Sequence, residues 1–219
     1  ILAYLDDDSL ACDHWSERLL HAFASRQVQV VAGGVDLLFE TERPAWLTQN
    51  LESYLSSTAR FGPGERLLAP DEYPVGANMA VRREAWAAAG GFGHSLGRRG
   101  KTLRSSAEFN LVRKVRLAGG KVLFAPDCRV LHRVPPDRLA FGWFVQRCYW
   151  QGRSDAIWER LQASAGFRRI CHNTAMAAAH GARELALAGF CLLVVRRGEA
   201  AERFCAAMSW LGYFRERLL

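Results

Sequence analysis

The sequence opens with a short apolar run of strand type that ends in three consecutive carboxylates. Residues 1–5 read ILAYL, and Asp6, Asp7 and Asp8 follow them directly. Ligands bind beyond the carboxyl ends of strands in open α/β sheets, so acids at a strand end face a ligand rather than the core. Three adjacent carboxylates repel one another, and a hard divalent ion such as Mg²⁺ or Mn²⁺ neutralises them well. The stretch predicts a metal site, against the alternative of a solvated acidic turn ahead of a helix.

The three acids are expected to divide their roles. Side chains alternate along a strand, so Asp6 and Asp8 point one way and Asp7 the other. We therefore predict that Asp6 and Asp8 hold the metal and that Asp7 braces the loop.

The next segments alternate between helix and strand patterns. A helical apolar stripe follows Asp13, which we expect to be the N-cap of that helix. Residues 27–35 form a β-branched strand that we expect to break at its glycine pair, and residues 47–59 contain one helical piece. Residues 121–126 form another short strand. This succession predicts an α/β fold, with a mixed sheet flanked by helices and a helical region at the C-terminus.

Composition limits the partners and the compartment. Half of the 219 residues are hydrophobic, which suits one domain with a sizeable core plus an appendage. The net charge of +7 allows nucleic acid, an anionic membrane or a phosphorylated substrate, and does not choose among them. Six scattered cysteines with no C-x-x-C pair predict free thiols in a reducing compartment and no zinc site. Because Ile1 already lies in a strand pattern, we expect the chain to be a fragment or a cropped sequence.

Four further residues are candidates for chemistry. Gly76 would let the backbone approach a ligand, and Asn78 offers a donor and an acceptor beside it. Glu108 begins a helical pattern, where the helix dipole favours an ionised carboxylate that can accept a proton. His132 ends an apolar run before a Pro-Pro turn, and at a strand end near acids it would ligate metal or meet a phosphate. For each of them the alternative is structural: a turn, an ordinary capping acid or a core histidine.

The C-terminal part is helical and carries a short apolar run. An aromatic and basic helix, residues 141–150, precedes Arg153. Its aromatic side chains could stack on bases or on sugar faces, or lie at a membrane interface. The apolar residues 185–195 are too few to cross a bilayer, which takes about 20 residues. With Arg183, Arg196 and Arg197 at its ends, the run is expected to dock on the domain or to lie in a bilayer surface.

In this order, the motifs resemble family-two glycosyltransferases of the GT-A fold, a Rossmann-like α/β architecture. The matching pieces are Leu5 to Ser9, Gly76 to Arg83, Gly90 to Phe92, the helix from Glu108, and Val130 to His132. The resemblance covers residues 1–154, which it identifies as the C-terminal part of a catalytic domain, with residues 155–219 as a helical C-terminal region. Residues 151–154 also look like the segment that follows the catalytic core in some bacterial members.

The resemblance implies an inverting transfer of a sugar from a nucleotide-diphosphate-sugar donor to an acceptor hydroxyl. Asp6 and Asp8, with Asp7 assisting, would hold Mg²⁺ or Mn²⁺ against the donor diphosphate, and His132 would complete the metal or phosphate shell.

The resemblance also implies roles for residues that do not bind the metal. Glu108 would be the catalytic base, Arg153 would pair with the diphosphate, and Gly76 and Asn78 would contact the donor. The acceptor would be a saccharide, a lipid-linked or a protein acceptor, as in the synthesis of cell-envelope polysaccharide in bacteria.

Two departures from the family pattern limit these implications. Where members commonly have an acidic pair and a further acid, the register here reads Ala107-Glu108-Phe109-Asn110, which leaves one carboxylate. The nucleotide-recognition half that normally precedes the acidic motif is expected to be missing ahead of Ile1. We therefore expect the chain alone to bind nucleotide-sugar poorly.

Two other functions remain open from the sequence. The depleted acidic motif favours a non-catalytic member of the same fold that serves as a binding or membrane-associated partner. The net charge and the Trp/Arg-rich helix favour, less strongly, a nucleic-acid-binding module. A cytoplasmic location is the simplest expectation, with peripheral contact at the inner face of the plasma membrane through the C-terminal apolar helix.

Overall fold

The computed structural model of the protein describes residues 1–92, 97, 98, 100, 102–162 and 167–219. Its strands are β1 (Leu2–Leu5), β2 (Ser9–Ala11), β3 (Val28–Phe39), β4 (Arg66–Leu67), β5 (Asn78–Val81) and β6 (Lys121–Val134). Its helices are α1 (Trp15–Ala22), α2 (Gln49–Glu52), α3 (Arg83–Ala88), α4 (Ala107–Leu117), α5 (Phe141–Gln162), α6 (Phe167–Leu193) and α7 (Arg197–Arg217). The predicted α/β class is confirmed, and the architecture is compatible with a GT-A-like fold.

The chain divides into two compact units. The first contains residues 1–40, 55–93 and 107–135, and the second contains residues 41–54, 94–106 and 136–219. The predicted boundary between residues 154 and 155 falls inside α5, which continues through it as one helix. The predicted division into a catalytic domain and a helical region stays a prediction.

A mixed sheet organises the first unit. The strand order is β1-β5-β3-β6-β2, with β4 paired to β6 beside this path. Strands β3 and β6 run parallel over most of their length, and the other neighbours are antiparallel. Because β3 and β6 are the long central strands, they set the frame on which the other elements of this unit pack.

Helices cover both faces of this sheet. On one face, Val30 and Phe124 pack against Leu111 and Val115 of α4. On the other face, Val31 packs with Leu19 of α1. Successive β3 residues therefore point to opposite layers, as the period of a strand requires.

The glycine pair in β3 does not end the strand, contrary to the sequence-based prediction. Strand β3 runs through Gly33 and Gly34 to Phe39. A Cβ on Gly33 would lie 2.1 Å from the side-chain nitrogen of Asn78, and one on Gly34 would lie 2.5 Å from the carbonyl oxygen of Pro126. The glycines are needed because neighbouring groups approach the backbone, not because the chain turns.

The start of α1 also differs from the prediction. Asp13 is not the N-cap; the N-cap is His14, at a φ of 60°, and no side chain caps the helix there. Instead, the Trp15 backbone N–H donates to the carbonyl of Cys12, so the turn leaving β2 is closed by the main chain. The predicted N-cap was wrong because this backbone turn delays the helix by one residue.

The predicted helical piece within residues 47–59 is shorter than expected. Thr48 caps α2 by accepting a hydrogen bond from the N–H of Leu51, and α2 ends after four residues. A 3₁₀ turn over residues 53–55 follows, and Ser56 then takes a φ of 73°. This left-handed residue prevents the helix from continuing.

Two predictions about the C-terminal part and the thiols can be compared with the structure. The apolar run ends in a helix terminus, since α6 stops at Leu193 and Val195 has a φ of 60°. In the described part of the chain, no helix is both long and apolar enough to span a bilayer. Of the six cysteines, the five whose side chains the structure describes are free, as expected: Cys12, Cys128, Cys148, Cys191 and Cys205. The side chain of Cys171 lies outside the described part of the chain.

Helix packing in the second unit depends on two glycines. Helix α7 packs against both α5 and α6. A Cβ on Gly152 of α5 would lie 1.7 Å from the carbonyl oxygen of Ser209, and one on Gly212 of α7 would lie 1.9 Å from that of Tyr149. Both obstacles are backbone atoms, so the two helices touch main chain to main chain at this crossing.

We predict that Gly152→Ala lowers the free energy of unfolding by about 2 kcal/mol or more, because the added methyl forces α5 and α7 apart. Gly189→Ala, in α6, is the control: its Cβ would meet nothing within 4 Å. That change should raise stability by up to about 1 kcal/mol through helix propensity. Denaturant unfolding of both variants measures the difference in their free energies of unfolding. Equal stability of the two variants would contradict the close crossing of α5 and α7.

Candidate metal and donor site

The acidic turn between β1 and β2 is fixed by main-chain hydrogen bonds. The N–H of Ser9 donates to the carbonyl of Asp6 at 3.0 Å, and the N–H of Arg133 donates to the carbonyl of Asp8 at 2.9 Å. Strand β2 pairs with β6 so that Ser9 lies opposite His132. This register brings the turn beside the end of β6, more than a hundred residues later in the chain.

His132 occupies a core position of β6. Along the end of this strand Cys128, Val130 and Val134 are buried, and His132, in the same alternating series, is only 3 % exposed. A histidine in such a series needs hydrogen-bond partners for its ring nitrogens, because an unsatisfied buried polar group is costly.

The two ring nitrogens of His132 have different partners. Nδ1 lies 2.9 Å from the carbonyl oxygen of Leu55. Because a carbonyl can only accept, Nδ1 carries the proton of this bond. Nε2 lies 3.0 Å from Oδ1 of Asp8. In the neutral ring, Nε2 then carries a lone pair that points at the Asp8 carboxylate. Two electron-rich atoms at this distance repel each other unless a proton or a metal cation lies between them.

Asp6, Asp8 and His132 together can hold one metal ion. Each offers a ligand atom, and these atoms all lie within 4.8 Å of one another. In an octahedral shell with bonds of about 2.1 Å, adjacent ligands are about 3 Å apart and opposite ones about 4.2 Å apart. Two carboxylate oxygens and one imidazole nitrogen suit Mn²⁺ especially, since Mg²⁺ prefers oxygen ligands alone. The 4.8 Å limit is slightly wider than this shell, so a bound ion would draw the three groups together. The donor types suit the predicted divalent cation, whose presence stays a prediction.

Two predicted donor-binding residues lie on open surface. Asp7 is exposed and is not one of the three grouped ligands. Gly76 is exposed, and a Cβ added to it would meet nothing within 4 Å. A ligand can reach both positions, and their roles in donor binding stay predictions.

Asn78 has a structural role that the sequence did not reveal. Its side chain is buried and donates hydrogen bonds to the carbonyls of Gly34 at 2.9 Å and Cys128 at 2.6 Å. Its Oδ1 accepts from the indole N–H of Trp15 at 3.2 Å. With these three bonds the amide joins β5 to β3, β6 and α1, and the predicted contact of Asn78 with the donor stays a prediction.

Glu108 lies where the sequence predicted. It is in the first turn of α4 and half-buried, and the next residue, Phe109, stacks on Tyr73 with ring centroids 4.2 Å apart. This stacking fixes the start of the helix. The catalytic role of Glu108 stays a prediction.

Arg153, the predicted diphosphate partner, is paired within the second unit. Its Nε and one terminal nitrogen contact Oε2 of Glu216 at 2.6 Å and 2.5 Å, and its guanidinium lies over the Trp150 ring at 4.7 Å. Only 15 % of its side chain is exposed. A diphosphate would have to compete with Glu216, and the predicted contact stays untested.

Sequence reasoning missed a polar cluster on α5. Gln151 accepts from Arg147 at 2.9 Å and from the Ser105 hydroxyl at 2.7 Å, and donates to Asp155 at 2.8 Å. The signal was available, because residues 147, 151 and 155 are spaced four apart and share a helix face. Burial, as the largest cause, raises the pKa of Asp155 from 3.8 to about 6, against the hydrogen bond from Gln151 and the charge of Arg147.

Two curated proteins are similar to this chain. One is a glucosyl-dolichyl phosphate glucuronosyltransferase from Haloferax volcanii, 26% identical over 172 residues, which are 75% of this chain and 53% of the relative. The other is the succinoglycan biosynthesis protein ExoM from Rhizobium meliloti, 26% identical over 191 residues, which are 87% of this chain and 55% of the relative. The chain thus spans about half the length of each. No protein-family model and no solved structure matches it.

We predict that Asn78→Asp lowers the free energy of unfolding by about 2–4 kcal/mol. The substitution keeps the shape but places a carboxylate oxygen against the carbonyls of both Gly34 and Cys128, where a donor is required. Chemical denaturation measures the loss. Unchanged stability would show that the sheet does not need the Asn78 amide.

We predict that Asp155→Asn stabilises the protein at neutral pH by roughly 1–3 kcal/mol. Because its pKa is raised on folding, Asp155 binds its proton more tightly in the folded state, so its contribution to stability declines as pH rises from about 4 to about 6. The variant lacks this decline. The difference in unfolding free energy between the two proteins, measured from pH 3.5 to 7, should therefore grow across that window, and a constant difference would contradict the raised pKa.

Proposed function

We propose that the protein is a glycosyltransferase of the family-two type that transfers a sugar from a nucleotide-diphosphate-sugar donor to an acceptor hydroxyl with inversion. The observation that carries the proposal is the grouping of Asp6, Asp8 and His132 within 4.8 Å at the carboxyl end of β1. The resemblance to a named glucuronosyltransferase supports sugar transfer at a coarser level.

The site residues suit the binding of a donor diphosphate. A divalent cation bound there would stabilise the negative charge of the leaving nucleoside diphosphate. Asp6 and Asp8 supply oxygen ligands on a turn held by the backbone, and the Leu55 carbonyl orients His132 so that Nε2 faces them. Such a hydrogen bond to the distal ring nitrogen fixes the tautomer of a ligating histidine and raises its basicity.

Glu108 serves as the base in this proposal. Inversion requires the acceptor hydroxyl to attack the anomeric carbon from the face opposite the leaving group, and a carboxylate to take the hydroxyl proton. The first turn of α4 favours the ionised form of Glu108 through the helix dipole.

The acceptor we propose is a lipid-linked saccharide at the cytoplasmic side of a membrane, with the protein held there peripherally. One relative is named for glucosyl-dolichyl phosphate and the other for the synthesis of a polysaccharide, succinoglycan. A role in cell-envelope polysaccharide synthesis is the corresponding proposal for this protein.

A second candidate function is a non-catalytic relative that keeps the fold. Ala107-Glu108-Phe109-Asn110 retains one carboxylate where the family pattern has more. If the catalytic base of the family belongs at position 107 or 110, this chain lacks it, and the candidate site would bind a partner or a ligand without turnover.

The first test is metal-dependent binding of UDP and GDP to the full-length protein, measured by calorimetry with and without Mn²⁺. We expect Asp6→Asn with Asp8→Asn to abolish the metal-dependent part of the binding, because the variant removes two anionic ligands. Asp13→Asn, an exposed acid just after β2, is the matched control and should bind as the parent does. Absence of nucleotide binding in the parent would reduce the three aspartates to an acidic turn.

The second test separates catalysis from binding. Glu108→Gln should lower turnover by about 10²–10⁴-fold while leaving donor binding intact, because only proton transfer is lost. Glu84→Gln, an exposed acid in the first turn of α3, is the control for a helix-capping effect. Turnover that is equal in the parent and in Glu108→Gln would favour the non-catalytic relative or a base elsewhere.

A further inference from the structure

The connection between α6 and α7 exposes a cluster of apolar side chains. We call Phe190, Leu192, Leu193, Val194 and Val195 the apolar tip. Leu193 is 83 % exposed and Val195 74 % exposed, and the other three range from 46 % to 62 %. Single exposed apolar residues are ordinary, but a contiguous cluster of them marks an interaction surface.

The shape of the apolar tip favours a fluid partner. Phe190, Leu192 and Leu193 belong to α6, where successive residues point about 100° apart, and Val194 and Val195 continue the chain past the end of the helix. The exposed apolar side chains therefore do not share one helical stripe. A rigid protein groove would cover one stripe of a helix, whereas lipid chains can surround a tip on all sides. The backbone turn does not favour valine at position 195 either, because Val195 has a φ of 60°, a conformation that Gly or Asn adopts more easily.

Positive charge lies at the base of the apolar tip. Arg196 and Arg197 follow it directly, and both are exposed. The acidic group that faces Arg196 is Glu199, at 3.2 Å, with both side chains more than half exposed. The arrangement is the one expected where apolar residues enter a bilayer and arginines meet lipid phosphates.

An apolar cleft continues this surface. It has a volume of about 350 Å³, and its lining includes Leu192 of the apolar tip and the neighbouring Arg197. Trp46, Phe141 and Phe204 form much of its wall. Aromatic side chains at this position suit the boundary between headgroups and acyl chains.

We propose that the apolar tip inserts into the surface of an anionic phospholipid bilayer, with Arg196 and Arg197 at the level of the lipid phosphates. Because the described residues of α6 do not form a stretch long and apolar enough to span a bilayer, we place the contact at the interface. The proposal gives a surface to the peripheral association proposed above and does not depend on the transfer reaction.

The test is flotation of the full-length protein with vesicles of phosphatidylcholine alone and of phosphatidylcholine mixed with phosphatidylglycerol. Leu193→Glu combined with Val195→Glu should lower the partition coefficient on the anionic vesicles at least about tenfold. Arg197→Gln should lower it about fivefold, through one lost attraction to anionic lipid. Leu117→Glu is the matched control, since Leu117 is 72 % exposed on α4, and it should float as the parent does.

Several outcomes would overturn the proposal. It fails if the parent floats with neither vesicle, if the double variant floats as the parent does, or if neutral vesicles bind the protein as well as anionic ones. A parent that stays off vesicles but forms a dimer lost in the double variant would assign the surface to a second copy of the chain. Metal-dependent UDP binding, measured on the same samples, reports on the transfer proposal separately, so the two can fail independently.

Discussion

The Asn78 side-chain amide is the interaction on which the first unit depends most. With three hydrogen bonds it connects β5 to the backbones of β3 and β6 and to the indole of Trp15 on α1. The same contact explains Gly33, because any larger residue in β3 would occupy the space of the amide. A single polar side chain thus fixes the separation of three strands and the position of a helix, in an interior where leaving it unsatisfied would be costly.

The sheet held in this way positions the candidate site at its margin. Strand β6 extends beyond the Asn78 contact to His132, and β2 pairs with it so that the acidic turn lies alongside. His132 is buried on the core side of β6, while Asp8 is partly exposed at 24 % of its side chain. The candidate site therefore combines a buried imidazole with an Asp8 carboxylate whose Oδ1 is itself buried, and its exposed side is formed by Asp6. A binding site needs both fixed geometry and access, and these residues would supply the two separately.

The sequence predicted local patterns well and long-range partners poorly. The acids, the helix beginning near Glu108 and the start of β6 were visible because periodicity and residue type are local properties. The strand predicted over residues 121–126 was too short, because β6 continues to Val134. The Leu55 carbonyl that orients His132 and the Glu216 carboxylate that pairs with Arg153 were not visible, since each depends on contacts between distant segments. The glycine pair was misread for the same reason: a strand break and a close approach leave the same dipeptide in the sequence, and only the neighbouring side chain distinguishes them.

Two of the bonds that fix the acidic turn join main-chain groups, from the N–H of Ser9 to the carbonyl of Asp6 and from the N–H of Arg133 to the carbonyl of Asp8. These bonds form with any side chain at positions 6 and 8. Neither of these two bonds requires a carboxylate at position 6 or 8, although the Asp8 carboxylate also lies 3.0 Å from Nε2 of the buried His132. The shape of the turn and the chemistry of its side chains can therefore change separately in the sequence.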